Sequence, residues 1–360
     1  MCRAISSERR WPDVRILITA DPYIPIPPLW YGGIERILDF LVRGLSRRGH
    51  EITLIAHPDS QVPATLVPYG SPPHFGFVPR VTELAQVASA LWRRRGAFDV
   101  VHSFGRLAAL LPILPMRRLA KVQSYQRDIP WVSVARAVKL AGSSIAFTGC
   151  AACVYRDRPA GIDTGRWLTI PNGVDVAGFT CTTSTAPDAP LMFLGRLEPI
   201  KGPHHAIAIA RRANRNLIIA GNTVPEYAAY FDEQIAPHLD GRRVTFVGTV
   251  DDVQKNAHLG RAAALLMPID WEEPFGIVMA EALACGTPVI AFKRGSVTDI
   301  VRDGINGFAC ESVEDAAAAV DRLPTINRRR VREDCEARFD ASVIVSQYEQ
   351  LYDDTIRSAR

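Results

Sequence analysis

The chain alternates short apolar runs with longer segments whose apolar residues recur at helical spacing. The first run is VRILIT, Val14 to Thr19. A proline-rich loop follows it. Ile34, Ile37, Leu38, Leu41, Val42 and Leu45 then fall on one face of a helix predicted from Ile34 to Arg48. Gly49 ends that helix, and EITLIA (Glu51 to Ala56) is the next strand. FDVVHS (Phe98 to Ser103), AKVQSY (Ala120 to Tyr125) and SIAFTG (Ser144 to Gly149) read the same way. Strands this apolar, alternating with helices, predict a parallel sheet covered on both faces.

The rhythm then restarts. Pro171, Asn172 and Gly173 form a turn, and residues 178–190, rich in Thr, Ser, Ala and Pro, read as a linker. Five further strands are predicted: Leu191 to Gly195, Leu217 to Gly221, Val244 to Gly248, Ala263 to Pro268 and Pro288 to Phe292. The pattern therefore predicts two doubly wound α/β domains in tandem, residues 14–177 and 178–340. Residues 341–360 form a last helix, and residues 1–13 read as a frayed N-terminus. The length of 360 residues agrees, at roughly 150 residues per domain.

Composition narrows the class without changing it. With 48% hydrophobic and 22% charged residues, the chain can bury two cores and is neither disordered nor a disulfide scaffold. A net charge of +4 is too weak to indicate nucleic-acid binding. No apolar run reaches the roughly 18 residues of a membrane span, and MCRAISSERRWPD lacks the apolar core of a secretory signal. Seven scattered cysteines fit free thiols in a reducing cytoplasm.

Doubly wound sheets bind ligands at the carboxyl ends of their strands, and three segments there carry chemistry. In GRLEPIKG, Arg196 and Lys201 leave a strand where two cations could grip a diphosphate. In EPFGIVMAE, Gly276 permits close backbone approach at a helix start, and the helix offers unpaired N–H groups to an anion. Glu273 precedes that helix, and Glu281 lies more than one turn inside it. GTPVI, from Gly286 to Ile290, stops the helix and starts the next strand with a proline. No Gly-x-Gly, P-loop or Asp-x-Asp occurs, which excludes the nicotinamide fingerprint and predicts no metal site. Cys150-Ala-Ala-Cys153 lacks a second ligand pair and reads as structural. Arg328 to Arg330 reads as a solvated face. Trp92 to Arg95 and Met116 to Arg118 read as solvated helix ends, with weak peripheral contact to an anionic membrane as the alternative.

Taken together, GRLEPIKG and EPFGIVMAEALACGTPVIAF resemble the signature of retaining glycosyltransferase family 4, the group 1 glycosyltransferases. In the first half, Tyr31-Gly32-Gly33-Ile34-Glu35-Arg36 resembles the family's glycine loop, FDVVHS a strand ending in a donor-contacting histidine, and IPNGVD its hinge. The matches run in the expected order over most of the chain. The resemblance implies the GT-B fold, two Rossmann-like domains facing a cleft, with donor mostly on the second domain and acceptor on the first. It implies transfer of a sugar from a nucleoside-diphosphate sugar to an acceptor hydroxyl, with retention, no metal and no further cofactor.

Residue by residue, Arg196 and Lys201 would hold the diphosphate, Glu281 the ribose, and Glu273 the sugar hydroxyls beneath the reacting face. Backbone from Phe275 through Gly276 to Ile277 would meet sugar and phosphate. Gly33 would close on the phosphate, His102 would contact the sugar, and Val250 would meet the base. Glu273, His102, Arg196 and Lys201 form the implied catalytic set. Tyr125-Gln126-Arg127 departs from the family's usual histidine after this strand, so the acceptor (small molecule, polysaccharide or lipid-linked glycan) stays open. An epimerase of the same fold and a nucleotide-sugar-binding protein without turnover are the rival expectations.

Overall fold

The computed structural model describes residues 13–29, 32–70 and 77–360. The expectations for residues 1–12, including Cys2, and for Tyr31 lie outside them. Two parallel sheets organise the chain. The first has β1 (Arg15–Thr19), β2 (Glu51–Ala56), β3 (Thr65–Pro68), β4 (Val100–Ser103), β5 (Ala120–Tyr125), β6 (Ile145–Gly149) and β7 (Arg166–Thr169), in the order β3-β2-β1-β4-β5-β6-β7. The second has β8 (Leu191–Leu194), β9 (Leu217–Ala220), β10 (Val244–Phe246), β11 (Ala264–Met267), β12 (Val289–Phe292) and β13 (Gly307–Cys310), in the order β10-β9-β8-β11-β12-β13.

Strand order reverses direction between β1 and β4 in one sheet and between β8 and β11 in the other. At such switch points the loops diverge to opposite faces and leave a crevice. Helices cover both faces. In the first domain these are α1 (Gly33–Arg47), α2 (Phe77–Arg94) and α3 (Trp131–Ala141). In the second they are α4 (Pro203–Arg212), α5 (Ala228–Gln234), α6 (Asp252–Arg261), α7 (Ile277–Ala284), α8 (Val297–Ile300), α9 (Val313–Asp321) and α10 (Arg328–Phe339). Three strands escape the apolar-run signal. β3 and β7 have exposed ends, and β13 begins at Gly307 and holds few large apolar residues.

The last helix, α11 (Ala341–Ala359), leaves the second domain and packs on the first. Ile344, Val345, Tyr348, Leu351, Tyr352 and Thr355 lie buried along one stripe. A β-carbon built on Gly44 of α1 would stand 2.5 Å from Val345 Cγ2, so the two helices approach closely. Tyr348 and Tyr352 reach the underside of β4 and β5, where His102 pairs with the Tyr352 hydroxyl at 2.7 Å.

In the arginine cluster Arg329 and Arg330 are exposed, as expected of a solvated face, but the first member is not. Arg328 is not on a solvated face but 7% exposed, donating to the carbonyls of Thr182, Gly260 and Ala262 and to Thr287 Oγ1. It fastens the inter-domain segment to the second domain. The six described cysteines are unpaired.

Removing the Tyr348 ring from this seam should cost about 3–5 kcal/mol of stability, as for other buried aromatic truncations. Denaturant unfolding of Tyr348→Ala reads it, and a loss below about 1 kcal/mol would contradict the seam's role.

Candidate active site

The loop after β8 carries Arg196, Glu198 and Lys201, and the loop after β11 carries Asp270, Trp271 and Glu273. Backbone holds the two loops together, with the Asp270 amide donating to the Ile200 carbonyl at 2.9 Å. Gly202 sits at φ 71°, and a β-carbon there would lie 1.9 Å from the Pro268 carbonyl oxygen. Only glycine satisfies both the left-handed conformation and that approach. A third loop, after β12, supports Glu273 from behind. Gly295, at φ 55°, leaves room for the Glu273 backbone, and the Ser296 amide donates to the Glu273 carbonyl at 2.9 Å.

Lys201 and Glu273 meet at the switch point. Lys201 Nζ donates to Glu273 Oε2 at 2.5 Å, and Trp271 Nε1 donates to the same oxygen at 2.9 Å. The ammonium also lies 4.7 Å from the Trp271 ring centroid, a cation–π contact. Both donors converge on one oxygen, and among the described residues the other makes no hydrogen bond. Arg196 Nη2 lies 2.8 Å from Glu198 Oε1, with its own side chain 40% exposed.

A second lysine–glutamate pair stands behind the first. Lys255 Nζ donates to Glu281 Oε1 at 2.6 Å and to Asp252 Oδ1 at 2.9 Å. Glu281 is 7% exposed, one turn inside α7, where the helix is apolar on every side and buried against the sheet. Gly276 precedes α7, and Ile277 opens it. Phe275 is buried, with its ring 5.7 Å from that of Phe339. Val250 is half-buried between β10 and α6, beside the second-domain core.

The first domain closes on this crevice through α1. A β-carbon on Gly33 would stand 3.0 Å from Ile277 Cδ1, so the first turns of α1 and α7 abut. Arg36 Nη1 adds an inter-domain ion pair to Asp252 at 2.9 Å. Asp252 thus links Arg36 to Lys255 and, through it, to Glu281. On the hinge side, Cys150 and Cys153 direct their sulfurs at the carbonyls of Pro274 and Glu273. Their thiol pKa values are raised by burial, Cys153 to about 11, which leaves both protonated and unreactive near neutral pH. His204, His205 and Asp270 gather within 4.8 Å at the start of α4. His204 pairs with the Tyr230 hydroxyl and His205 with Asp270. The positive end of α4's dipole disfavours a further cation there.

His102 is the one expected site residue that the structure removes. Its side chain has no exposure and is held by Tyr352 at Nδ1 and Ser124 at Nε2, both at 2.7 Å. Strand alternation explains the error, because successive β4 residues face opposite sides of the sheet and His102 faces α11. It is a structural histidine, and Phe104 packs on its ring at 4.3 Å. Arg196, Lys201, Glu273, Phe275, Gly276, Ile277 and Glu281 lie on the loops after β8 and β11 and on α7, which the β8/β11 switch point brings together.

Three residues in this region were not anticipated. Trp271 directly precedes Glu272 and Glu273, where an aromatic beside paired acids was the available signal. Lys255 lies one turn into α6, whose start is marked by the capping box of Asp251 and Gln254. Asp21 follows β1 at the other switch point.

Two tandem doubly wound parallel sheets, with lysine–glutamate pairs beside the switch point of the second, define a glycosyltransferase of the GT-B class. The chain belongs to the group 1 glycosyltransferases of family 4. Residues 185–338 match the model for glycosyl transferases group 1, and residues 31–142 that for glycosyltransferase family 4. A glycogen synthase of Mycobacterium tuberculosis is 28% identical, covering 94% of each chain. A D-inositol 3-phosphate glycosyltransferase of Mycolicibacterium gilvum is 35% identical over 44% of this chain and 38% of that one. Among solved structures, AviGT4, a glycosyltransferase involved in avilamycin A biosynthesis, superposes with TM-score 0.69 at 23% identity, covering 96% and 98% of the two chains. HepE of Anabaena, in complex with UDP and glucose, superposes with TM-score 0.70 at 20% identity, covering 94% and 99%. No described helix is long and apolar enough to cross a membrane.

Burial lowers the His102 pKa to about 3. The unfolded chain therefore binds a proton below about pH 6.5 that the folded chain refuses, and this group's contribution falls as pH drops from there toward 3. The His102 imidazole resonances should stay flat from pH 7.5 to pH 4.5 in an NMR titration. A midpoint near 6.5 would place the ring in solvent.

Proposed function

We propose that this enzyme transfers a sugar from a nucleoside-diphosphate sugar to an acceptor hydroxyl, with retention of anomeric configuration and without a metal. The observation that carries the reading is the pairing of Lys201 with Glu273 at the β8/β11 switch point, with Arg196 on the same loop and the α7 N-terminus behind. Breaking the bond between sugar and diphosphate leaves negative charge on the departing phosphate. Fixed cations and helix N–H groups aimed there stabilise that charge most in the transition state.

Each residue's part follows from its partners. Lys201 and Arg196 neutralise the diphosphate. As Lys201 turns toward phosphate, Glu273 keeps the Trp271 donor on Oε2 and offers its other oxygen to the sugar hydroxyls. Glu281, with one oxygen on Lys255, offers the other to the ribose. Gly33, at the start of α1, lets the first domain approach the phosphates. A front-face displacement, in which the departing phosphate helps to take the acceptor's proton, fits a crevice whose catalytic carboxylate is already engaged by two donors. The complex of the structural neighbour HepE with UDP and glucose makes UDP-glucose the first donor to test.

Lys201→Ala should lower turnover by roughly 10²–10³, the usual cost of one preorganised donor to developing charge. The check is nucleoside-diphosphate release from the best donor in a UDP-, GDP-, ADP- and dTDP-sugar panel, with and without EDTA, and with Tm followed alongside. Turnover within about threefold of wild type, in a variant still folded, would refute the assignment of Lys201. Loss of activity in EDTA would refute the metal-free mechanism. Release of epimerised free sugar without an acceptor would favour the epimerase.

A further inference from the structure

On the hinge side of the Glu273 loop the two domains enclose a cavity of about 440 Å³. That is many times the room a water molecule takes, and it lies within the range of small-molecule sites. Cys150 and Pro171, just after β6 and β7, form the wall from the first domain. Phe275 and Ile300 form the wall from the second. Phe339 and Gln347 close the space from either side of the α10–α11 junction. The walls are fixed from outside the cavity. The Phe275 and Phe339 rings meet edge to face with centroids 5.7 Å apart, and the Ser296 hydroxyl donates to the Phe275 carbonyl at 2.9 Å. The Val174 amide donates to the Phe339 carbonyl, and the Ala341 amide to the Val174 carbonyl, both at 2.9 Å.

The lining sets the chemistry of an occupant. Two charged residues face the cavity, Asp299 and Arg338, and both are committed to the protein. Arg338 donates through Nη1 to Asp334 at 2.9 Å and to the Ile300 carbonyl at 3.0 Å, and through Nη2 to the Asp299 carbonyl. The Asp299 carboxylate accepts from the Ala152 amide at 3.2 Å. Their charges are opposite, so the wall carries no net charge. An ion entering here would give up its hydration without meeting an unshared counter-charge, which is costly. What the walls offer is apolar surface, from Pro171, Phe275, Ile300, Ala337 and Phe339, and one side-chain amide. Among the described residues Gln347 makes no hydrogen bond, so its carbonyl and its NH2 group are both open to a ligand. Mainly apolar walls with one or two placed polar groups are the usual make-up of a small-molecule site.

We infer that this cavity is an effector site for an uncharged, ring-bearing small molecule that stacks its ring against Phe275 and Phe339, pairs an amide-like group with Gln347, and raises affinity for the donor. The binding site stands on the cavity alone, and its coupling to donor rests on the transfer reading above. Phe275 lies two residues from Glu273, and the first domain holds the same stretch. Cys150 Sγ donates to the Pro274 carbonyl at 3.4 Å, and Cys153 Sγ to the Glu273 carbonyl at 3.8 Å. Residues 273–275 therefore join the cavity wall to the Lys201–Glu273 pair. An occupant touching both domains holds them in the arrangement in which Gly33 abuts Ile277 and Arg36 reaches Asp252. Two ligands that favour one arrangement raise each other's affinity by the same factor.

The test uses the full chain and three probes of similar shape, followed by fluorine NMR. 4-Fluorobenzamide is neutral at pH 7, 4-fluorobenzoate anionic and 4-fluorobenzylamine cationic. The benzamide should bind saturably, and each ion at least fivefold more weakly. Ala337→Trp, which sends an indole into the cavity from an exposed position, should abolish benzamide binding, and Gln347→Leu should weaken it at least fivefold. With the best donor of the panel above at saturation, the benzamide Kd should fall about fivefold. The inference is overturned if the benzamide does not saturate, if either ion binds as well, if either variant binds it as wild type does, or if a donor that itself binds leaves its Kd unchanged. Failure of every donor to bind, with the order of the three probes intact, would sink the donor reading and leave the cavity assignment standing, so the two failures are distinguishable.

Discussion

The interaction on which the rest depends is the ion pair between Lys201 and Glu273, partly buried at the point where β8 and β11 part. A partly buried pair gains little net stability, because desolvation offsets most of its Coulomb energy. What it does is hold two groups of opposite charge side by side in a crevice. Its geometry is fixed by backbone rather than by the side chains: Gly202 against Pro268, Gly295 against Glu273, and the Asp270 amide on the Ile200 carbonyl. The chemistry is therefore built on three rigid loops, each leaving a buried parallel strand.

The same construction is repeated with different chemistry in the first domain. There the switch point presents Thr19, Ser103 and Asp21 in place of two cations. The contact of α1 with α7, and the chain Arg36, Asp252, Lys255, Glu281, couple the two halves. The inter-domain ion pair thereby connects α1 of the first domain to Glu281 of the second.

Much of this was legible in the residues. The buried strands β1, β2, β4, β5, β6 and β8 to β12 announced themselves as apolar runs, because parallel strands covered on both faces need such side chains throughout. β3, β7 and β13 did not, since partly exposed or glycine-led strands lack the signal. The loops of the candidate site were legible because cations and glutamates stood next to helix starts at the ends of strands. His102 misled for a definite reason: a histidine at the end of a strand has an even choice of face, and only the placement of α11 decides it. Arg328 misled likewise, as a charged run gives no sign that its first member will meet four carbonyl or hydroxyl oxygens under the linker. Trp271, Lys255 and Asp21 required three-dimensional proximity between loops far apart in the chain.

The central claim, that this crevice holds a nucleoside diphosphate by its charge, is tested most directly by calorimetric titration of the full chain with UDP, GDP, ADP and dTDP at low and high salt. The account predicts that at least one binds with micromolar Kd, that affinity weakens as salt screens the phosphates from Arg196 and Lys201, and that the same nucleotide fails to saturate Lys201→Ala. Binding that is indifferent to salt and to Lys201, or no binding by any of the four, would contradict it.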